Sequence, residues 1–200
     1  MKRTIITLTA TVGLATIVAT LGGLHTTHAQ NQNQQGGSVV GTWLNSVTVD
    51  VGPGVSVPLA NEFVSFGPGG VFADVISIQF NGENPAFAGG PLAAFAVNFS
   101  DAYGSWKQVG DDSNQFAGTF KRFLYAGAST PASIYGPFFV GKHVGEATVQ
   151  FTGTVQNSPS GQTLVGRFTF QLTTLQGQVV LVGSGPFSAT RIKVQPLATN

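Results

Sequence analysis

Few side chains in this chain could carry chemistry, and their spacing narrows the choice further. Beyond residues 1–29 the single histidine is His143, in Gly141-Lys142-His143-Val144-Gly145-Glu146. A Ser-His-Asp nucleophile would need it as base. Glu146, three residues on, faces the other side of a strand and is badly placed to orient it. His143 therefore reads as an ordinary surface or loop histidine. The absence of cysteine excludes a thiol nucleophile, disulfides, thiolate metal sites and iron–sulfur clusters. One histidine leaves zinc with only carboxylates to complete its shell, so no metal site is read and no cofactor is expected.

The carboxylates Asp50, Glu62, Asp74, Glu83, Asp101, Asp111, Asp112 and Glu146 are scattered over different segments, which gives no paired set for glycoside hydrolysis. Asp111, Asp112 and Asn114 carry oxygens that calcium takes, but Asp-Asp-Ser-Asn is also what a tight hairpin loop uses for its own backbone bonds, and the turn is preferred. Asp74 stands apart. It shares strand parity with Phe72 and Ile76, and an inward position would raise its pKa or demand a partner. The opposite parity, with Val71, Ala73 and Val75 inward, is equally open. Gly67-Pro68-Gly69-Gly70 lacks the Lys and the following helix of a phosphate loop. Asn98-Phe99-Ser100 matches a three-residue glycosylation pattern.

The elements that must position these residues are strands. Ala147, Val149, Phe151 and Val155 alternate with polar residues across Glu146 to Val155. After the turn signal Asn157-Ser158-Pro159-Ser160-Gly161, Leu164, Phe168, Phe170 and Leu172 alternate in the same way. The two runs make a hairpin with matched faces. Turn chemistry adds Glu62 to Phe66 with Val71 to Phe80, and Ser105 to Val109 with Gln115 to Tyr125. With Val40 to Val51, and with Gln178 to Gly183 and Phe187 to Val194 separated at Gly185-Pro186, about nine strands result. No segment holds a 3.6 period. The pattern predicts an all-β fold, a single antiparallel up-and-down β-barrel of about eight to nine strands. Asn81 to Pro91 and Ala126 to Gly141 are long for loops. Phe87, Ile134, Tyr135, Phe138 and Phe139 suggest that they pack onto the barrel mouth.

The chain begins Met1-Lys2-Arg3, continues with an apolar stretch from Ile5 to Leu24, and reaches Thr27-His28-Ala29. This predicts a secretory signal peptide over residues 1–29, a polar spacer over 30–38, the barrel over 39–196 and a tail over 197–200. Export to a periplasm or the cell exterior follows as an expectation, with no membrane span in the mature chain. Removing Lys2 and Arg3 takes the formal charge from +1 to −1. A near-neutral surface without a basic cluster argues against nucleic acid as a partner. Charged residues make up only 8% of the chain, a surface poorly defended against edge-to-edge pairing, which favours a closed sheet.

Gly41-Thr42-Trp43 on the opening strand and Ser188-Ala189-Thr190-Arg191 on the closing one resemble the pattern of calycins, the lipocalin-like and avidin-like barrels. In that family a Gly-x-Trp on the first strand is covered by a basic side chain from the last. The resemblance implies that Gly41, Trp43 and Arg191 close one barrel end as structural residues, with the guanidinium on the indole. A second Gly-x-Trp, Gly104-Ser105-Trp106, lies in mid-chain. The lipocalin disulfide cysteines are missing, and the polar set that avidin-like proteins place around biotin has no assignable counterpart.

The chain has 16 Phe, and Phe120, Phe151, Phe168 and Phe170 lie in well-alternating strands. Inside an eight-stranded barrel such residues either fill the core or line one small cavity. The leading expectation is a non-enzymatic lipocalin-like barrel holding a small apolar or amphipathic ligand among these four rings and Asp74. Two others stand beside it: a ligand-free structural or interaction barrel of the cell envelope, and an isomerase or cyclase resembling the allene oxide cyclase barrels, with Asp74 as its buried carboxyl.

Overall fold

The computed structural model describes residues 38–52, 54–85, 89–110, 114–159 and 161–193. The expected signal peptide, most of the spacer, Phe87, Asp111, Asp112 and the C-terminal tail lie outside the described residues.

Among the described residues nine strands form: β1 (Gly41–Gly52), β2 (Val55–Phe66), β3 (Val71–Ile76), β4 (Asn98–Phe99), β5 (Ala102–Gln108), β6 (Gln115–Tyr125), β7 (His143–Ser158), β8 (Gly161–Thr174) and β9 (Val179–Arg191). They make one antiparallel sheet in the order β4-β6-β5-β3-β2-β1-β9-β8-β7, and β7 pairs back onto β6. Eight strands therefore close an up-and-down barrel, and β4 is an extra strand. Ser100 joins β4 to β5: its Oγ accepts the Phe123 N–H at 2.9 Å while its own N–H donates to the Phe123 carbonyl at 3.0 Å. Closure satisfies both edges of every barrel strand, which removes the pairing hazard of a weakly charged surface.

Alternation decides which residues enter the core. Trp43, Val47 and Val49 of β1, Val64 and Phe66 of β2, Phe72 and Ile76 of β3, and Phe116, Phe120 and Leu124 of β6 are all buried. Val71 and Val75 are exposed, which settles the parity of β3 with Asp74 inward. Each fully buried Phe contributes roughly 1.5–3 kcal/mol relative to exposure. Packing so many rings requires recesses, and glycines supply them. A Cβ at Gly118 would lie 2.3 Å from Phe151 Cζ, and one at Gly166 would lie 2.5 Å from Phe187 Cζ. The Phe rings occupy the space that a side chain on the neighbouring strand would take.

Three expectations change. The segments Gln178 to Gly183 and Phe187 to Val194 are not two strands: β9 runs unbroken through Gly185-Pro186, with Gly185 opposite Phe168 and Pro186 opposite Arg167. The pair marks a close approach instead of a turn. A Cβ at Gly185 would meet the Thr48 carbonyl, and the ladder to β1 starts only at Phe187, beside the position where proline has no N–H to give. The second strand begins at Val55 rather than Glu62: the β1–β2 ladder continues past Ala60 and takes up Pro58 through a register shift between Val47 and Thr48. The third ends at Ile76 rather than Phe80.

The two ends of the barrel differ. Trp43, the β2–β3 turn, the β5–β6 turn and the β7–β8 turn share one end. The long connections 77–101 and 126–142 share the other, where α1 (Ala132–Tyr135) and a 3-10 segment over Gly90–Phe95 lie. The connections pack onto each other: Tyr135 OH donates to the Ala94 carbonyl at 2.6 Å, and Thr130 Oγ1 donates to the Ala96 carbonyl at 2.5 Å. Among the described residues no helix is long and apolar enough to cross a membrane.

Candidate functional site: an aromatic cavity with one polar wall

Rings fill the barrel from the Trp43 end upward. Phe66 makes edge contacts with Phe72, Trp106 and Phe116 at 5.1, 5.8 and 5.3 Å between centroids, and Phe72 stacks on Phe120 at 5.1 Å. Such pairs add about 0.5–1.5 kcal/mol each beyond their burial. At the other end Phe95, carried by the Gly90–Phe95 segment, reaches Phe170 at 5.3 Å. Between these layers lies a cavity of about 80 Å³, lined by Phe120, Phe151, Phe168, Phe170, Phe95 and other apolar side chains of nearly every barrel strand.

One wall of that cavity is polar: Asn45, Glu62 and Arg122 line it, and all three are buried. Register explains how they meet. Asn45 lies directly opposite Glu62 in the β1–β2 ladder, and its Nδ2 donates to Glu62 Oε2 at 2.9 Å. Asp74 lies opposite Ala102 on β5, and Tyr103 lies opposite Lys121, which brings Ala102 beside Arg122. Ala102 is too small to separate its neighbours, and Arg122 Nη2 pairs with Asp74 Oδ2 across it. Glu62 Oε1 stands 3.7 Å from the same nitrogen. The guanidinium also lies over the rings of Phe120 and Phe99, at 5.3 and 5.9 Å, a favourable cation–π placement.

The charges of this cluster do not balance. One guanidinium faces two carboxyls. Burial raises Glu62 above the ordinary carboxyl range against the pull of Arg122 and the Asn45 hydrogen bond. Burial raises Asp74 well above it, and the like charges of Glu62 and Asp101 add to that rise while Arg122 opposes it. Desolvation outweighs pairing for both groups. Asn45 Oδ1, Asp74 Oδ1 and Arg122 Nη1 are buried without a protein hydrogen-bond partner.

The four ring residues Phe120, Phe151, Phe168 and Phe170 all line the cavity. Asp74 is 1% exposed and sits behind Arg122; it is absent from the cavity wall. Glu62 was named only among the scattered carboxylates, and Arg122 and Asn45 were not singled out, although Arg122 shares the inward parity of Phe120 and Leu124. Gly41, Trp43 and Arg191 meet at the opposite end from the long connections. Trp43 is fully buried and donates Nε1–H to the Val39 carbonyl at 2.9 Å. Arg191 Cζ lies 4.6 Å from the indole centroid, and Nη2 donates to the carbonyls of Ser38 and Val40. A Cβ at Gly41, where φ is +138°, would stand 3.4 Å from that guanidinium.

Other candidates are tied down elsewhere. His143 Nε2 is 2.9 Å from the Gly145 carbonyl, its ring against Phe123 and Tyr125. Asn98 of the glycosylation pattern accepts the Gly82 N–H and donates to Glu83. Among the described residues no group of three His, Asp or Glu side chains is arranged to hold a metal ion. In comparisons with known proteins, no family model matches the chain, and neither does any curated protein or solved structure.

Proposed function

We propose that the protein is an exported, lipocalin-like carrier of a small apolar or amphipathic molecule, held among Phe120, Phe151, Phe168 and Phe170. The observation that carries this reading is the cavity itself: a recess in the barrel interior with aromatic walls and a few converging polar groups has the make-up of a small-molecule site. The stacking of Arg191 on Trp43 at the closed end supports the calycin-like part of the reading, and the first 29 residues support export. The cavity volume sets the scale. At about 80 Å³ it is near half the roughly 150 Å³ of an engineered apolar cavity that binds benzene, so a ligand of that size or larger must displace Phe95 or another ring. Native mass spectrometry of protein from its own source, followed by solvent extraction, tests the carrier role. A compound released in stoichiometric amount is expected; a chain that yields none under gentle isolation contradicts it.

A second reading, an isomerase or cyclase of the allene oxide cyclase kind, is favoured by the carboxyl that lines an apolar cavity with its pKa raised by burial. In that reading Glu62 takes the role first given to Asp74, since Asp74 does not reach the ligand space. Glu62→Gln is then expected to stop turnover of an extracted compound while leaving its binding intact, and unchanged turnover rejects the role.

A further inference from the structure

We propose that the cavity selects an uncharged ligand bearing one group that both donates and accepts a hydrogen bond, a hydroxyl or a primary amide, and turns away carboxylates of equal size. This rests on the reading of the barrel as a ligand carrier and names the chemistry of its cargo.

The argument starts from two buried atoms on the polar wall. Asn45 Nδ2 is committed to Glu62 Oε2, which fixes the orientation of the amide and leaves Oδ1 as an acceptor with no protein partner. Arg122 Nη2 is committed to Asp74, and Nη1 is a donor with no protein partner. Both residues line the cavity, while the two atoms themselves expose almost no surface, so a ligand group meets them through a small shift of the wall. Leaving a buried donor and a buried acceptor unmatched is costly. A ligand oxygen that accepts from Arg122 and an O–H or N–H that donates to Asn45 match the two together. A purely apolar ligand matches neither.

Charge decides against an acid. Arg122 is the only cation among the described residues that line the cavity, and its Nη2 already faces the carboxyls of Asp74 and Glu62. A ligand carboxylate would be a third acid around one guanidinium in a poorly solvated site, where like charges repel strongly. A cavity arginine would ordinarily favour a carboxylate headgroup, but here the barrel places its own carboxyls on that guanidinium. The polar demand is therefore for a neutral group. The space of about 80 Å³ admits about three water-sized units at about 30 Å³ each, so the polar group must come on a small or slender ligand.

Xenon, propionamide, 1-propanol and sodium propionate separate the possibilities. Propionamide and propionate have nearly the same shape and differ in charge and in the N–H donor. Binding to the full chain after removal of any extractable compound is followed by NMR shifts of the Phe120 and Phe151 rings and of the Asn45 side-chain amide. The expected result at neutral pH is that propionamide and 1-propanol bind at least tenfold more tightly than propionate, and that Asn45→Ala removes that preference while xenon still binds. Propionate binding as tightly as propionamide overturns the inference, as does xenon binding without either neutral compound. Exclusion of all four, xenon included, overturns the carrier reading itself. If Asn45→Ala does not fold, the amide against carboxylate comparison in the unaltered protein still decides.

Discussion

Arg122 reaches across Ala102 to pair with Asp74 on the strand beyond, although 48 positions separate the two in sequence. The pair is the anchor of the polar wall, and it leaves the interior with more acid than base. Removing the cation should therefore be far worse than removing one acid. Arg122→Met strands two buried carboxyls and is expected to cost about 3–5 kcal/mol. Asp74→Asn keeps Arg122 paired with Glu62 and should cost clearly less. Urea denaturation of both variants checks the order, and equal losses would show that the charges are not what sets stability here.

The same imbalance predicts how stability depends on pH. Glu62 and Asp74 have folded-state pKa values raised from 4.5 and 3.8, chiefly by burial. Between the unfolded and folded values the native state holds protons that the unfolded chain has released, so stability falls as pH climbs through that window. Asp50 acts in the opposite sense at lower pH, because hydrogen bonds from Ser56 and Arg167 lower its pKa. Thermal midpoints should accordingly decline from mildly acidic towards neutral pH, and the double variant Glu62→Gln/Asp74→Asn should flatten that decline. An unchanged slope in the double variant would place the titrating groups elsewhere.

Glycine recesses make a separate prediction. A Cβ at Gly118 would collide with Phe151 Cζ at 2.3 Å and with the Ser105 carbonyl at 2.7 Å, so Gly118→Ala must move a ring or a strand. Overpacking of this kind costs typically 1–3 kcal/mol. Gly89, with φ at −131° and no atom within 4 Å of an added Cβ, should accept Ala with little change. The comparison is made by the shift in urea midpoint at constant slope.

At the closed end, Arg191→Lys is expected to cost about 1–2 kcal/mol despite keeping the charge. An ammonium cannot both lie flat on Trp43 and donate to the Ser38 and Val40 carbonyls as the planar fork does. Trp43 fluorescence should shift as its cover loosens. A variant with unaltered emission and stability would reduce the stacking at 4.6 Å to mere proximity.

How much of this was legible in the residues follows from which contacts are local. Strand existence and the facing of β7 and β8 could be read because Ala147, Val149, Phe151, Phe168, Phe170 and Leu172 repeat at period two. Asp74 could be singled out by its parity with Phe72 and Ile76, but parity alone left its direction open. The pairing of Trp43 with Arg191 came from the resemblance of Gly41-Thr42-Trp43 and the late Arg191 to the calycin pattern, which the stacking matches. Arg122, Glu62 and Asn45 were not found as a group. Their meeting depends on the register of four ladders and on Ala102 being small, which no single segment encodes. Gly185-Pro186 misled for a related reason: the residues that mark a turn also mark a place where another backbone comes close.

The claim that the Phe-rich interior encloses usable space is tested most directly by xenon under pressure in a crystal of the protein. Xenon is expected as a single ordered site among Phe120, Phe151 and Phe170. A barrel interior without xenon under conditions that fill other apolar cavities would mean that the rings close the space, and the account of a ligand carrier would be wrong.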